Sequence, residues 1–200
     1  MHIDPRSISS QDTYKLMVGS VVPRPIAWIS SQARDGTLNL APFSFFIAVS
    51  PDPPTIAVSV GFRGGSPKDT RHNIEATGEF VVNVVTEEVA EAMNLTSGNY
   101  EPHVSEFAVA GVTAAPSVVV APPRVAESPI SMECRLSQIV PVGAPPAGYG
   151  LILGEIVYWH VRDDLYHHGR IDLQALHAIG RLAGNGYART RDQFEMLRPP

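Results

Sequence analysis

The hydrophobic positions in the first third of the chain fall into runs that are typical of β-strands. β-branched and aromatic residues dominate the segments 24–32, 38–49 and 55–62. The third segment is almost continuously apolar, which indicates a strand buried on both faces. An Asp-Gly pair at 35–36 separates the first two runs and is typical of a tight hairpin turn. We expect the second strand to be interrupted at Pro42.

Three further apolar runs predict strands in the rest of the chain, at 79–85, 130–142 and 150–161. A loop rich in glycine and proline, beginning at Gly143, joins the last two, so they can pair as antiparallel neighbours. Six or more strands without a regular alternation of strand and helix favour a mainly β fold. We expect a β-barrel with flanking helices rather than a doubly wound sheet.

Capping residues predict several short helices. Ser66 can cap a helix that has Pro67 in its first position and Asp69 at the capping-box position. Gly78 is a suitable residue to end this helix. Four other helices are expected: one capped by Ser10, one capped by Thr86, one at 104–111, and one at 172–184 that ends in glycine.

Composition and charge are those of an ordinary globular protein. Of 200 residues, 44% are hydrophobic and 18% charged, and no repeat or linker divides them, so one domain over 1–200 is the simplest interpretation. The net charge of -5 argues against binding to nucleic acid or to an anionic membrane. The single cysteine, Cys134, excludes an intramolecular disulfide. Because no signal peptide or membrane span is evident, we expect a cytoplasmic protein.

A basic cluster at the predicted helix start is the first candidate binding feature. Arg63, Lys68 and Arg71 fall within nine residues of an otherwise acidic chain. A helix start offers free N–H groups and the positive end of the helix dipole, and glycines at 64–65 allow a ligand to approach. Thr70 could donate a hydroxyl hydrogen bond. The alternative is a capped surface helix whose basic side chains are simply solvated.

The segment "NLAPFSFF" is the second candidate feature. Asn39 and Ser44 stand among apolar and aromatic residues, the mixture that binds flat heteroaromatic rings such as flavins. The alternative is a strand and turn whose phenylalanines fill the core and whose polar groups satisfy the local backbone.

No other pattern predicts a metal site or a catalytic group. The seven histidines lack zinc-ligand spacing, and no G-x-S-x-G motif is present. Cys134 in a predicted strand is typical of a packing residue, and His160 of a structural histidine.

Taken in order, several segments resemble the flavin reductase-like, FMN-binding split-barrel family, and in particular its flavoredoxin and nitrilotriacetate-monooxygenase-component-B branch. The resemblance covers about residues 12–195 and rests on four segments: "VVPRPIAWISSQARDGTLNLAPFSFFIAVSPDPPTIAVSV", "KDTRHNIEATGEFVVNVV", "LILGEIVYWHV" and "IGRLAGNGYARTRDQFEM".

The resemblance implies a six-stranded antiparallel Greek-key split barrel, a homodimer, and FMN in a groove near the dimer interface. Lys68 and Thr70 are then the strongest candidates to hold the FMN phosphate. The full set of cofactor-binding residues that it implies is Arg24, Pro25, Ile26, Ala27, Asn39, Ala41, Pro42, Phe43, Ser44, Phe45, Ser59, Val60, Gly61, Ser66, Lys68, Asp69 and Thr70.

The resemblance also implies an activity: an NADH- or NADPH-dependent flavin reductase that passes reduced flavin or electrons to a partner such as a monooxygenase. One departure favours a non-enzymatic FMN electron carrier instead. Tyr149 stands where many family members have a histidine near the nicotinamide, which leaves His160 or the segment 181–187 to shape the substrate side. A third possibility is a binding module on the same barrel that has lost flavin.

Overall fold

An antiparallel sheet of eight strands organises the part of the chain that the structure describes, residues 1–144 and 148–199 of a computed structural model. Seven strands follow the order β2-β1-β6-β9-β10-β4-β3, and β5 pairs with β4 outside this path. Their bounds are β1 Ala27–Gln32, β2 Leu38–Phe43, β3 Phe46–Pro51, β4 Pro54–Arg63, β5 Ser66–Pro67, β6 Glu79–Val84, β9 Ile130–Val142 and β10 Tyr149–Val161.

Shorter elements surround this sheet. Three two-stranded pairs are formed by β7 Ala114–Ala115 with β8 Arg124–Val125, β11 Tyr166–His167 with β12 Arg170–Ile171, and β13 Ile179–Arg181 with β14 Tyr187–Arg189. The helices are α1 Ser10–Ser20, α2 Asp69–Thr77, α3 Ala90–Leu95, α4 Glu106–Ala110 and α5 Leu173–Leu176, with 3-10 turns at Pro5–Ser7 and Asp163–Leu165.

The expectation of a mainly β fold is confirmed, but the main sheet of the described residues has eight strands rather than six. The second predicted strand divides at Ser44 and Phe45, not at Pro42. Pro42 is tolerated within β2 because β2 is an edge strand, where a missing N–H breaks no ladder. The extra short strand β5 arises because Ser66 pairs with Arg63 across a turn.

The long hairpin of β9 and β10 confirms the predicted antiparallel pair; its loop lies partly outside the described residues. The pairing shifts register between Leu153 and Gly154, as at a β-bulge. A Cβ at Gly154 would collide with the Phe80 ring, so glycine allows this close packing.

Two hydrophobic clusters lie on opposite faces of β1. Ile29 joins the cluster inside the barrel, where it packs with residues such as Val58 and Phe80. Trp28 joins the cluster beneath the helices, and its indole N–H donates to Thr96 Oγ1 at 2.9 Å. Neighbouring residues of β1 therefore anchor the sheet and the helical layer to each other.

Several helix boundaries differ from those predicted by capping residues. Ser9, not Ser10, caps α1, and α2 begins at Asp69 because Ser66 and Pro67 belong to β5; α2 ends at Gly78, as predicted. Thr86 forms a β-bridge instead of a cap, so α3 begins only at Ala90.

The predicted helix at 172–184 is short. It stops at His177, which adopts a left-handed conformation with φ of 50°, and the chain continues into strand β13. The part of the chain beyond β13 supplies its partner strand, β14. Within the described residues, no helix is both long and apolar enough to cross a bilayer.

Candidate functional site

A groove lies where the chain passes between the two edge strands of the main sheet. β2 ends at Phe43 and β3 begins at Phe46, so Ser44 and Phe45 connect opposite ends of the strand order. Three cavities of about 200, 130 and 240 Å³ adjoin here and share Pro42 and Phe43. We name them the helix-start cavity, at the beginning of α2, the Arg181 cavity and the Tyr149 cavity, in that order.

The start of α2 presents unpaired backbone donors to the helix-start cavity. Lys68 is the N-cap residue in extended conformation, and no side chain caps the helix. The first helical hydrogen bond runs from His72 N–H to Lys68 O, so the N–H groups of the three residues between them lack acceptors within the helix. The positive end of the helix dipole adds to the attraction for an anion.

Lys68 is the basic residue of this region that remains available. Among the described residues, Arg63 pairs with Asp69 at 3.0 Å and Arg71 pairs with Glu75 at 2.7 Å, whereas the Lys68 ammonium has no carboxylate partner. The Lys68 Nζ lies 5.7 Å from the centre of the Phe43 ring. Burial, with a smaller contribution from Arg63, lowers the pKa of Lys68, and a bound anion would oppose that shift.

Thr70 and Asn39 add a buried polar wall to the same cavity. Thr70 is 1% exposed, and its hydroxyl oxygen accepts a hydrogen bond from Asn39 Nδ2 at 2.9 Å. The Asn39 amide also donates to Ser31 Oγ at 3.3 Å, which fixes its orientation. Because the Thr70 oxygen is the acceptor in this contact, its own proton is free to be donated to a ligand.

Sequence reasoning missed Glu106, which lies in the helix-start cavity. Its carboxylate reaches from α4 to β2 and accepts the Leu40 N–H at 3.0 Å. Burial raises the pKa of Glu106 and the nearby Asp69 adds to this, while the Leu40 hydrogen bond and Arg63 oppose it. A glutamate in a short predicted helix carries no sequence signal for such a place, since the contact depends on how α4 packs on β2.

Aromatic side chains form the walls of the Tyr149 cavity. The Phe45 and Tyr149 rings lie 6.2 Å apart with planes inclined by 31°. Tyr149 pairs with Gly61 across the strands, and a Cβ at Gly61 would come within 2.9 Å of the Tyr149 ring. Glycine at this position therefore lets the tyrosine lie against β4. The remaining lining includes Tyr14, Ser44, Ser59, Phe62 and Lys68.

Twelve of the seventeen cofactor-binding residues expected from the sequence line one of the three cavities. These are Ile26, Asn39, Ala41, Pro42, Phe43, Ser44, Phe45, Ser59, Gly61, Lys68, Asp69 and Thr70. The other five lie outside the lining of these cavities: Pro25 and Ser66 are exposed, Ala27 and Val60 are buried in the core, and Arg24 lies beneath the groove.

Arg24 is 6% exposed and ties together the structure behind the groove. Its guanidinium donates to Val18 O and Val21 O, both at 2.6 Å, and to Leu182 O at 3.0 Å. Its Nε also donates to Ser44 Oγ at 3.3 Å. Arg24 therefore positions Ser44 through hydrogen bonds to α1 and the C-terminal segment.

The C-terminal segment lines the Arg181 cavity. The Arg181 guanidinium stacks on the Tyr187 ring at 4.5 Å, and the Tyr187 hydroxyl contacts Asn94 Oδ1 at 3.2 Å. His160 lies elsewhere, near the opposite end of β10 from Tyr149, where it pairs with Glu133 beside a separate cavity of about 600 Å³. Of the two candidates for the substrate side, His160 and the segment 181–187, only the segment reaches the groove.

The fold and groove correspond to a known class of protein. Residues 18–174 match the family model described as "Flavin reductase like domain". The chain belongs to the flavin reductase-like family.

Two solved structures are similar over nearly their whole length. Nitrilotriacetate monooxygenase component B from Bacillus cereus is 40% identical, with a TM-score of 0.95 and 98% of each chain covered. The 2-nitrobenzoate 2-nitroreductase NbaA of Pseudomonas fluorescens is 33% identical, with a TM-score of 0.90, covering 100% of this chain and 96% of that one. The branch expected from the sequence, that of component B, is therefore confirmed.

A more distant structure shows the fold alone. A proposed flavin reductase with a split barrel domain from Shewanella frigidimarina is 24% identical, with a TM-score of 0.84 and 100% of both chains covered. The expected split-barrel fold is confirmed, with an open sheet of eight strands.

The groove fits a flavin of the phosphate-bearing type. An unpaired lysine, free helix N–H groups and a buried hydroxyl meet in one cavity, as a phosphate requires. The adjoining cavities combine aromatic and apolar walls, such as Phe43 and Phe45, with polar side chains such as Ser44, the mixture that a planar heteroaromatic ring requires.

Proposed function

We propose that this protein is an FMN-binding oxidoreductase, an NADH- or NADPH-dependent flavin reductase that supplies reduced flavin or electrons to a partner protein. The observation that carries the proposal is that Lys68, Thr70 and the start of α2 face the helix-start cavity directly beside the aromatic groove. This arrangement supports a phosphate site and a ring site on either side of Phe43, within one contiguous surface.

The residues divide the cofactor between them. Lys68, the Thr70 hydroxyl and the α2 N–H groups hold the phosphate, and each charge-assisted hydrogen bond contributes about 1.5–3 kcal/mol. Pro42 and Phe43, shared by all three cavities, lie along the body of the flavin. A flavin held by these residues would supply hydride and electron transfer, and the residues of the groove would bind and orient it.

The partner that best fits the relatives is a monooxygenase. Component B of Bacillus cereus carries the name of a monooxygenase component, and this chain shares its fold over 98% of its length. The nitroreductase relative points to nitroaromatic compounds as a further acceptor class to be tested. We propose a homodimer of single-domain subunits, supported by Ile47 and Val49 on edge strand β3, which are 59% and 50% exposed.

A second candidate function is that of a non-enzymatic FMN electron carrier. The observation that favours it is Tyr149, which occupies the position of the histidine expected near a nicotinamide and packs within 6.2 Å of the Phe45 ring. In this case the flavin exchanges electrons with a protein and not with a nicotinamide nucleotide.

One experiment separates the two candidates. The absorbance spectrum of the purified protein, loaded with FMN, is followed anaerobically during addition of NADH and then NADPH. Rapid bleaching of the flavin bands by either nucleotide supports the reductase, and bound flavin that stays oxidised supports the carrier. A protein that takes up no FMN would overturn both.

A further inference from the structure

The carboxyl group of Glu106 lies in the proposed flavin site, but the function proposed above assigns it no role. The residue is 7% exposed and shares the helix-start cavity with Lys68 and Thr70. One of its oxygens, Oε2, is held by the Leu40 N–H at 3.0 Å, so β2 fixes the position of the carboxyl group. A carboxylate this close to a phosphate would bring like charges together in a partly buried site.

The charges around the cavity make this conflict specific. Arg63 and Lys68 are positive, whereas Asp69 and Glu106 are negative, so the lining is neutral overall when Glu106 is ionised. Arg63 is engaged by Asp69 at 3.0 Å, which leaves Lys68 alone to balance a phosphate. Protonation of Glu106 would give the lining one net positive charge and remove the repulsion.

The surroundings of Glu106 raise its pKa above the ordinary value for a glutamate. Burial raises the pKa of Glu106, and Asp69 raises it further, against the Leu40 hydrogen bond and Arg63. A phosphate in the cavity would act in the same direction as Asp69. The neutral carboxyl group also gains an O–H donor, which a phosphate oxygen can accept.

We propose that Glu106 binds the FMN phosphate as the neutral carboxylic acid, so that FMN binding transfers one proton from solvent to this side chain. The inference rests on the proposed placement of the phosphate in the helix-start cavity. It makes Glu106 a residue that distinguishes phosphorylated from unphosphorylated flavin and links flavin affinity to pH.

Calorimetric titration tests the proposal directly. The full-length protein, freed of flavin, is titrated with FMN and with riboflavin at pH 6, 7 and 8, in buffers of different ionisation enthalpy, which yields the number of protons taken up. We expect FMN to bind with uptake approaching one proton more in the wild type than in Glu106→Gln. Riboflavin, which has no phosphate, should show no such difference.

The sign of the pH dependence follows from the same linkage. Above the pKa of Glu106 in the free protein the side chain is ionised, so FMN affinity falls as pH rises, by up to about tenfold per pH unit. In Glu106→Gln this fall should be absent. The phosphate's own ionisation, with a pKa of about 6, is common to both proteins and cancels in the comparison.

Two controls keep the outcome clear. Glu75→Gln makes the same charge change on α2, at an exposed residue that pairs with Arg71 and does not line the cavity, and it should behave as the wild type. The amide carbonyl introduced by Glu106→Gln can still accept the Leu40 N–H, so the fold should be retained. If Glu106→Gln does not fold, Glu106→Ala is compared with the wild type in the same titration, because the contributions of Lys68 and of the phosphate are again common to both proteins.

The failure of this inference is distinguishable from that of the proposed function. If wild type and Glu106→Gln bind FMN with equal proton uptake at all three pH values, Glu106 does not act as an acid, and the flavin site stands. If neither protein binds FMN, both the inference and the proposed function are wrong.

Discussion

At the scale of single residues, the buried carboxylate of Glu133 makes four hydrogen-bond contacts in the interior. It is fully buried and accepts the N–H groups of Val118, Val119 and Val120, at 2.6–3.0 Å. His160 Nε2 lies 2.6 Å from Oε1, the carboxylate oxygen that also accepts the Val118 N–H. Burial alone would raise the pKa of Glu133, but these hydrogen bonds outweigh it and hold the pKa below its ordinary value. The carboxylate thereby ties a loop to β10.

We expect Glu133→Gln to lower the free energy of unfolding by about 3 kcal/mol, because an amide NH₂ group would face backbone donors in the interior. Urea unfolding followed by circular dichroism measures the change.

The effect of Glu133→Gln should also depend on pH. Because the pKa of Glu133 is lowered in the folded protein, its stabilisation is present above the unfolded pKa of about 4.3 and is lost as pH falls through the folded pKa. The difference between the two proteins should therefore narrow in acid. Glu155→Gln, on the exposed face of β10, is the control, and equal effects of the two changes would contradict this account.

At the scale of secondary-structure elements, the long strands of the main sheet could be predicted from the sequence, whereas the short strands and most helix starts could not. β-branched runs predict strands because burial and period-2 alternation are local features of the chain. Ser66 and Thr86 are good helix caps by residue type. In the structure, however, Ser66 pairs with Arg63 in a short hairpin, and Thr86 forms a β-bridge with Ala178, which is far away in the sequence. At both positions the hydrogen bonds of strand pairing outweighed the preference of the residue for a helix cap.

The close packing of β10 on Phe80 depends on Gly154. We expect Gly154→Ala to lower the free energy of unfolding by about 2 kcal/mol, since the added methyl group must displace the fully buried Phe80 ring. Chemical denaturation measures the change. Gly19→Ala in α1 is the matched control, because nothing lies within 4 Å of its Cβ, and it should stabilise by about 0.5–1 kcal/mol. A neutral effect of Gly154→Ala would mean that the core at Phe80 is loosely packed.

At the scale of the whole molecule, the sequence motifs predicted many of the residues that line the groove. They did not predict which of the candidate side chains are available to a ligand. Lys68 and Thr70, which were predicted to hold the FMN phosphate, both line the helix-start cavity, and their contact with phosphate stays a prediction. Arg24 was also a predicted cofactor-binding residue, but its guanidinium donates hydrogen bonds to backbone carbonyls of α1 and the C-terminal segment. Glu106 reaches the groove only through the packing of α4 on β2, which no local pattern encodes.

The proposed homodimer uses the exposed edge of the sheet. We expect the double change Ile47→Lys and Val49→Lys to shift the protein toward monomer, because two buried charges would have to be desolvated in the interface. Size-exclusion chromatography with light scattering measures the mass. Leu173→Lys, at another exposed apolar residue, should leave the mass unchanged. A wild-type protein that is monomeric at micromolar concentration would contradict the proposal.

The most direct test of the flavin site is the affinity of the wild type for FMN compared with that of the double variant Lys68→Ala and Thr70→Ala, measured by quenching of flavin fluorescence. We expect a loss of about a hundredfold or more, because two charge-assisted or buried hydrogen bonds to the phosphate disappear. Riboflavin should bind both proteins alike. Lys15→Ala, which removes an exposed lysine paired with Asp12, should retain wild-type affinity. Equal FMN affinity in the wild type and the double variant would show that the phosphate does not bind at the start of α2.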